Sequence, residues 1–198
     1  MIKIKICGLF SVKDIEIVNY AKPDYIGFVF VPDSKRYITP DKAEQLHHVL
    51  DKSISAIGVF QNFDADEIIS IYKRGIIDMA QLHGDETPEV VLKVKAWLPV
   101  IKAISMKPGW DTEQKRYKDA DYFLLDSGSG GTGKAFDWKL IGESSKPYFL
   151  AGGINTENIS SALKLNPFAV DVSSGAETNA RKDAKKVYRL IQTVRGLL

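Results

Sequence analysis

Two side chains of the sequence, a thiol and a carboxylate, stand where they could exchange protons with a substrate. Cys7 is the one cysteine of the 198-residue chain and follows residues 2–6, in which isoleucine and lysine alternate. Successive side chains of a strand point to opposite faces, so we expect Cys7 to share a face with Lys5. Asp126 follows the apolar run of residues 122–125. A thiol with a lowered pKa is a base or nucleophile, and a carboxyl group with a raised pKa is an acid. The structural alternatives are a buried inert thiol and a carboxylate that caps a turn.

Small residues after other apolar runs indicate where an anion would bind. Gly152 and Gly153 follow one such run, and a second segment, which begins at Asp171, continues as Ser173, Ser174 and Gly175. Free backbone N–H groups at small residues and helix starts bind phosphate without a cationic side chain. Either segment alone could be a turn, but the two together predict a phosphate site.

The glycine-rich loop of residues 128–133 directly follows Asp126 and contains Gly130 and Gly131. Such a loop lets the backbone approach a ligand and close over it. It is not a dinucleotide-binding fingerprint, because no acidic strand end follows at the required distance. We therefore expect Gly130 and Gly131 to contact the substrate.

Two further polar residues are candidates for the same pocket. Arg36 lies in the loop of residues 32–37, where its planar fork could clamp a carboxylate, although a solvated surface arginine is the alternative. His83 follows the short run Met79–Leu82 and is expected to line the pocket. Three histidines and one cysteine form no visible metal-ligand cluster, so we predict neither a metal nor another cofactor.

The elements that must position these residues alternate regularly along the chain. Short apolar or β-branched runs predict eight strands, and helical spacing recurs between them. Helix start signals occur at residues 39–41, at Asp64 and at residues 87–89. Such alternation predicts a parallel sheet, and eight units predict a single-domain (β/α)8 TIM barrel over residues 1–198. The predicted strands are Lys3–Cys7, Tyr25–Phe30, Ser55–Phe60, Met79–Leu82, Val100–Ile104, Tyr122–Asp126, Tyr148–Ala151 and Ala169–Ser173.

This fold changes the weight of the polar residues at the strand ends. Active sites of such barrels lie at the carboxyl ends of the strands, and phosphate is often bound by the loops after strands 7 and 8. Cys7 and Asp126 end predicted strands 1 and 6, and His83 directly follows strand 4. The small-residue segments follow strands 7 and 8, as a phosphate site in this fold requires.

Composition narrows the classes of partner. A net charge of +2 gives little long-range attraction for nucleic acid, so we expect a small anion bound locally. No run approaches the roughly 20 apolar residues that span a bilayer, and residues 1–8 have no signal-peptide pattern. A lone cysteine suits a reducing compartment. We therefore expect a cytoplasmic protein that binds a small phosphorylated molecule, with no membrane, nucleic acid or obligate protein partner.

A series of motifs over nearly the whole chain resembles the phosphoribosylanthranilate isomerase family, in that family's order. The motifs are Lys5-Ile6-Cys7-Gly8, Gly27-Phe28-Val29-Phe30 with Ser34 and Arg36, Gly58-Val59-Phe60, Gln81-Leu82-His83-Gly84, Leu125-Asp126, Gly130-Gly131-Thr132-Gly133, Leu150-Ala151-Gly152-Gly153 and Asp171-Val172-Ser173-Ser174-Gly175.

The resemblance implies an aldose–ketose isomerase of L-tryptophan biosynthesis that needs no cofactor. Its reaction converts N-(5-phosphoribosyl)anthranilate to 1-(2-carboxyphenylamino)-1-deoxyribulose 5-phosphate by an Amadori rearrangement. By resemblance, Asp126 is the general acid and Cys7 the general base. Arg36 falls where the family clamps the anthranilate carboxylate, and Asp171 where a carboxylate holds the amino nitrogen. An apolar site around Asp126 and a lysine beside Cys7 are the expected sources of the required pKa shifts.

One segment departs from the family's pattern. The family continues the last of these motifs as Gly-Val-Glu and then Gly-x-Lys-Asp, whereas Gly175 is followed by Ala176-Glu177 and the second glycine is replaced by Ala180. We therefore expect an altered backbone path after strand 8.

Other barrel functions fit the sequence less well. A ribulose-phosphate epimerase needs metal-binding histidines and acids at strand ends, and an indole-glycerol-phosphate synthase needs catalytic lysines within strands. A non-catalytic phosphate-binding barrel would keep the glycine segments but would have no use for both Cys7 and Asp126.

Overall fold

The computed structural model describes residues 1–107, 109–127 and 137–197, and its eight parallel strands form a closed barrel. Each strand pairs with the next along the chain, and the eighth pairs with the first. The predicted (β/α)8 barrel is confirmed, and every predicted strand boundary lies within one residue of the observed one. The strands are β1 Lys3–Cys7, β2 Tyr25–Val29, β3 Ser55–Phe60, β4 Met79–Leu82, β5 Val100–Ser105, β6 Tyr122–Asp126, β7 Tyr148–Leu150 and β8 Ala169–Val172.

Helices cover the outside of the barrel, and local capping explains where they begin. The Ser11 hydroxyl accepts from the Asp14 backbone N–H, and the Asp14 carboxylate accepts from the Ser11 N–H, which completes a capping box. Thr39 and Asp64 cap the next two helices as predicted. Thr87 makes no side-chain cap, yet a helix does begin at the proline that follows it. The helices are α1 Val12–Ala21, α2 Pro40–His48, α3 Ala65–Lys73, α4 Pro88–Lys95, α5 Trp110–Arg116, α6 Ile159–Leu163 and α7 Ala184–Val194.

The connection between β6 and β7 differs from the predicted β–α unit. Among its described residues, a 3-10 helix at Trp138–Leu140 takes the place of an α-helix. Trp138 and Ile141 pack partly buried against the core, and the Trp110 indole N–H donates to the Leu140 carbonyl at 3.2 Å. Gly142 and Pro147 interrupt the described part of this connection, residues 137–147, which accounts for the absence of an α-helix there.

Alternation along the strands divides the core in two. Ile4 and Ile6 of β1 are fully buried in the layer between barrel and helices, as the sequence predicts. The opposite face points into the barrel, where apolar side chains fill the end nearest the amino ends of the strands. Tyr25, Leu124 and Phe149 are typical of this filling. Above it, towards the carboxyl ends, the inward side chains become polar.

The described residues contain neither a membrane-spanning helix nor a metal-binding group of side chains. None of the helices there combines the length and apolar character needed to cross a bilayer. The same ranges hold no group of three or more histidine, cysteine or acidic side chains arranged to bind a metal ion.

Candidate active site

Cys7 ends β1 with its thiol directed into the carboxyl-end mouth of the barrel. Its partner across the sheet is Gly27 of β2, where an added Cβ would come within 2.6 Å of the Cys7 sulfur. Gly27 is therefore a glycine because the thiol occupies the space of a side chain. Burial raises the pKa of the Cys7 thiol, and the ammonium groups of Lys5 and Lys182 lower it without offsetting burial. In the free protein Cys7 is thus a neutral thiol at neutral pH.

Asp126 ends β6 and contacts the same mouth. Its carboxylate accepts from the Ser127 backbone N–H at 2.7 Å and lies 3.4 Å from Nε2 of His83. Burial raises the pKa of Asp126, but the contacts with His83 and Ser127 outweigh burial, so the pKa lies below its usual value. The expected apolar elevation of this pKa is therefore wrong for the free protein, as is the expected net lowering for Cys7. Hydrogen bonds at a strand end, which sequence does not reveal, are the reason for the first difference.

A buried ion pair separates this mouth from the apolar filling. Lys5 and Asp171 are paired in register on β1 and β8, and Nζ of Lys5 lies 3.0 Å from the Asp171 carboxylate. Burial lowers the pKa of Lys5, but Asp171 and Cys7 together outweigh burial, so the pKa is raised. The second carboxylate oxygen of Asp171 is buried and has no hydrogen-bond partner among the described residues. That free acceptor is available to an N–H group of a ligand.

Gln81 and His83 extend the polar layer to β4. Gln81 is 2% exposed, and its Oε1 accepts from Lys5 Nζ at 2.6 Å. Its Nε2 lies 2.9 Å from Nδ1 of His83. The sequence predicted His83 as a pocket residue but assigned no role to Gln81. The alternation of Met79, Gln81 and His83 on one strand face is the signal that could have found it.

Arg36 sits at the rim of the mouth and is already paired. Its Nε and Nη2 donate to the two carboxylate oxygens of Glu177 at 2.7 and 2.8 Å. Lys182 donates to the same carboxylate at 2.6 Å, and its side chain is fully buried. The trio carries a net charge of +1, and the outer edge of the guanidinium, formed by Nη1 and Nη2, still offers N–H groups to another carboxylate. Sequence reasoning missed Glu177 because an acidic residue in a loop is normally solvated.

The altered motif after strand 8 keeps a compact path. Two short strands, β9 Glu177–Thr178 and β10 Arg181–Lys182, form a hairpin whose turn residues Asn179 and Ala180 have φ values of 51° and 58°. Alanine thus adopts the left-handed conformation that favours glycine. This hairpin directs Lys182 back under Glu177.

The loops after strands 7 and 8 are held against each other at the rim. Gly152 and Gly153 have φ values of 83° and 67°, which turn the chain sharply at the end of β7. Asn155 forms a parallel bridge with Gly175, where an added Cβ would overlap the carbonyl oxygen of Ile154. Two backbone segments therefore approach closely where the sequence places its phosphate site.

Ser173 and Ser174, which are predicted to contact the substrate, lie in the turn that follows β8. Ser173 donates from its hydroxyl to the Cys7 carbonyl at 3.2 Å, so it lies between the thiol and the paired loops. Ser174 accepts, through its carbonyl, from the Glu177 N–H at 3.0 Å. Gly130 and Gly131 lie outside the described residues.

The mouth of this closed barrel combines a thiol, a carboxylate, a buried lysine–aspartate pair and a rim arginine. These groups define the protein as a (β/α)8-barrel enzyme that transfers protons on an anionic substrate. Comparison with known proteins narrows this class. A family model described as N-(5'phosphoribosyl)anthranilate (PRA) isomerase matches residues 4–193. The chain belongs to this family.

Similar proteins agree along the full length. The N-(5'-phosphoribosyl)anthranilate isomerase of Clostridium acetobutylicum is 45% identical over 204 residues, covering 98% of each chain. The crystal structure of phosphoribosyl anthranilate isomerase from Thermotoga maritima superposes with a TM-score of 0.91 at 34% identity, covering 100% of both chains. Another solved isomerase, 32% identical with a TM-score of 0.85 and 100% coverage of both chains, is in complex with reduced 1-(o-carboxyphenylamino)-1-deoxyribulose 5-phosphate.

Proposed function

We propose that this protein is an N-(5-phosphoribosyl)anthranilate isomerase, which performs the Amadori rearrangement to 1-(2-carboxyphenylamino)-1-deoxyribulose 5-phosphate in tryptophan biosynthesis. The observation that carries the proposal is the buried polar layer with Cys7 and Asp126 above it at one mouth of the barrel. Family membership over residues 4–193 supports the substrate. We further propose that residues 1–198 act as one catalytic domain and, because a lone cysteine suits a reducing compartment, that the enzyme is cytoplasmic.

The chemistry requires one acid, one base and an acceptor for the amino nitrogen. Asp126 donates a proton to the furanose ring oxygen, the bond from that oxygen to C1 breaks, and a Schiff-base cation forms. The carboxylate of Asp171, through its unpaired oxygen, accepts from the substrate N–H and stabilises this cation. The Cys7 thiolate then removes the C2 proton to give an enolamine. Loss of the C2 hydroxyl proton and gain of a proton at C1 yield the ketone, so no redox partner is needed.

In the free protein the proton that the acid must donate is bound to Cys7 and not to Asp126. Cys7 is a thiol and Asp126 a carboxylate, because the pKa of the first is raised and that of the second is lowered. The reactive state has the reverse arrangement, with one proton moved from sulfur to carboxylate. Bound substrate favours this state, since its anionic groups and the exclusion of water raise the pKa of Asp126. The developing cation and the ammonium of Lys5 favour the thiolate.

Arg36 binds the anthranilate carboxylate in this proposal without leaving Glu177. One edge of the guanidinium is engaged by Glu177, and the edge formed by Nη1 and Nη2 is oriented by that pairing. The net positive charge of the trio with Lys182 suits a single carboxylate. Glu177 therefore fixes the arginine instead of competing for it.

The phosphate binds, we propose, at the paired loops after β7 and β8. The tight turn at Gly152 and Gly153 and the close approach at Gly175 support a cradle of backbone donors. Lys182 is turned towards Glu177 and the Ser173 carbonyl, which supports a secondary role for side-chain charge. The affinity of Lys182→Ala for phosphate should stay within about tenfold of the wild-type affinity, because the backbone N–H groups of the loops act at short range on the bound anion. A ligand-bound structure with phosphate held chiefly by lysines or arginines elsewhere would contradict this site.

The test of the function is the loss of anthranilate fluorescence as N-(5-phosphoribosyl)anthranilate is converted. Cys7→Ser and Asp126→Asn should each lower kcat by about 10²–10⁴, the usual contribution of a positioned acid or base, with little change in KM. Asp66→Asn, on the exposed side of α3, is the matched control and should retain full activity. A wild-type protein that leaves the fluorescence unchanged would contradict the function, and a fully active Cys7→Ser variant would contradict the base.

A further inference from the structure

A continuous chain of side-chain contacts crosses the barrel from the substrate's amino-nitrogen acceptor to its acid. Lys5 joins Asp171 at 3.0 Å and Gln81 at 2.6 Å. Gln81 joins His83 at 2.9 Å, and His83 reaches Asp126 at 3.4 Å. These residues come from β1, β4, β6 and β8 and the turn after β4. Its longest single step in sequence, from Lys5 to Asp171, joins residues that lie 166 positions apart.

The orientation of the Gln81 amide is dictated by Lys5. An ammonium group has only donors, so the amide atom 2.6 Å from Nζ must be the oxygen. The amide nitrogen then faces His83, and because it also has only donors, Nδ1 of the imidazole must accept. A neutral imidazole that accepts at Nδ1 carries its proton on Nε2. The ring tautomer, which is normally ambiguous from heavy atoms, is thus determined by a lysine two contacts away.

The surroundings of His83 support a single state of the ring. Among the described residues, the polar side chains in contact with it are the Gln81 amide from β4 and the Asp126 carboxylate from β6. The turn that carries it is secured from below, where Lys102 donates to the Gly84 carbonyl at 2.6 Å. Protonation of Nδ1 would set one N–H against another. The ring therefore presents a fixed Nε2–H to Asp126.

We propose that Gln81 is a positioning residue that locks His83 as the Nε2–H tautomer, making the histidine a permanent hydrogen-bond donor to Asp126. This inference rests on the proposed function. With its Nε2 lone pair replaced by a proton, His83 cannot take the proton of Asp126, which is left for the substrate's ring oxygen. The same N–H stabilises the carboxylate that remains after transfer.

The tautomer can be measured without substrate, since the chain has three histidines. In ¹⁵N-labelled protein, His83 is assigned as the ring whose signals disappear in His83→Asn. A protonated Nε2 couples to both ring C–H protons, whereas Nδ1 couples strongly to one. We expect the Nε2–H pattern for His83 at neutral pH. An Nδ1–H pattern, or an imidazolium at neutral pH, would overturn the proposal even if no Gln81 variant could be purified.

Two substitutions at Gln81 then test cause. Gln81→Met removes the donor at nearly constant volume and should give a ring that samples both tautomers, with kcat reduced by about 10- to 100-fold, as expected for loss of orientation. Gln81→Glu places an acceptor against Nδ1 and should favour a proton on that nitrogen. Met79→Leu, on the same strand face one layer below, is the control and should leave the ring spectrum unchanged. An unchanged His83 spectrum in both Gln81 variants would overturn the role of Gln81.

Failure of this inference is distinguishable from failure of the proposed function. If the wild type does not convert N-(5-phosphoribosyl)anthranilate, the function is wrong whatever the ring spectra show. If the wild type is active but the free protein lacks the Nε2–H tautomer, the inference alone is wrong. If kcat and the spectrum of Gln81→Met both match the wild type, Gln81 is merely structural.

Discussion

Glu177→Gln should destabilise the protein strongly because it removes one charge from a buried trio. The carboxylate accepts from Arg36 at 2.7 and 2.8 Å and from Lys182 at 2.6 Å. The Lys182 side chain is fully buried, and that of Glu177 is 6% exposed. The amide keeps the shape but presents donors on one side, so one cation loses its acceptor and Lys182 becomes an uncompensated buried charge.

The magnitude follows from burial. Removing one partner of a buried ion pair costs about 3–5 kcal/mol. Lys182 keeps a 3.3 Å hydrogen bond to the Ser173 carbonyl, which moderates the loss, so we expect about 3 kcal/mol at pH 6. Burial already lowers the pKa of Lys182, and Glu177 opposes that effect. The variant's pKa falls further, so near neutral pH the unfolded state binds more protons than the folded state and the free energy of unfolding rises with pH.

Equilibrium urea unfolding at pH 6 and pH 9 measures this effect. The difference between variant and wild type should be smaller at pH 9, where Lys182 can lose its proton. Glu44→Gln, which removes a partner of the exposed Arg74, is the matched control and should change stability by about 0–1 kcal/mol at either pH. A Glu177→Gln variant within 1 kcal/mol of the control would refute the reasoning, as would a penalty that grows with pH.

Three further outcomes test other parts of the molecule. Ala180→Gly should raise the free energy of unfolding by about 0.5–1 kcal/mol, because a left-handed backbone costs alanine about 1–2 kcal/mol and glycine gives back part of this gain through unfolded-state entropy. The control Ala96→Gly, at φ −62°, should lower the free energy of unfolding. Urea unfolding that ranks the two variants the other way would contradict the backbone strain at Ala180. Arg36→Met should weaken binding of the reduced product analogue by roughly 2–5 kcal/mol and leave the binding of inorganic phosphate unchanged, as measured by calorimetry. Equal losses of binding free energy for the two ligands would place Arg36 at the phosphate end of the site. The pKa of Asp126 lies below its usual value and that of Cys7 above it, so kcat/KM should be flat from about pH 5 to 8. The Cys7 thiol should react with iodoacetamide at least about tenfold more slowly than a free cysteine at pH 8. An inflection of kcat/KM near neutral pH, or rapid alkylation of Cys7, would show that burial does not control the pKa values of these groups.

Much of the architecture could be read from local patterns. Strict alternation in β1 was enough to orient Cys7 inward and Ile4 and Ile6 outward, because the side-chain period of a strand does not depend on distant residues. Capping signals located helix starts for the same reason. The connection between β6 and β7 shows the limit, because its described residues 137–147 form a 3-10 helix where the spacing of strands predicts an α-helix.

The candidate site could be predicted only where a residue's type and strand position sufficed. Cys7 and Asp126 were predicted in this way, whereas a role for Asp171 was implied only by the family resemblance. Glu177 did not, because its partner Arg36 is 141 residues away along the chain and a loop carboxylate is ordinarily solvated. Gln81 was visible only as part of a motif, and its effect passes through Lys5 and His83.

The sequence by itself determined the period and number of the strands, the side of the sheet on which each candidate lies, and the order of motifs that marks the family. Only the tertiary structure decided the protonation of the site. Whether Cys7 is a thiol and Asp126 a carboxylate depends on the balance between burial and the charges and hydrogen bonds around each group. Those neighbours come from other strands, and their effect depends on distances of a few ångströms that no linear spacing encodes.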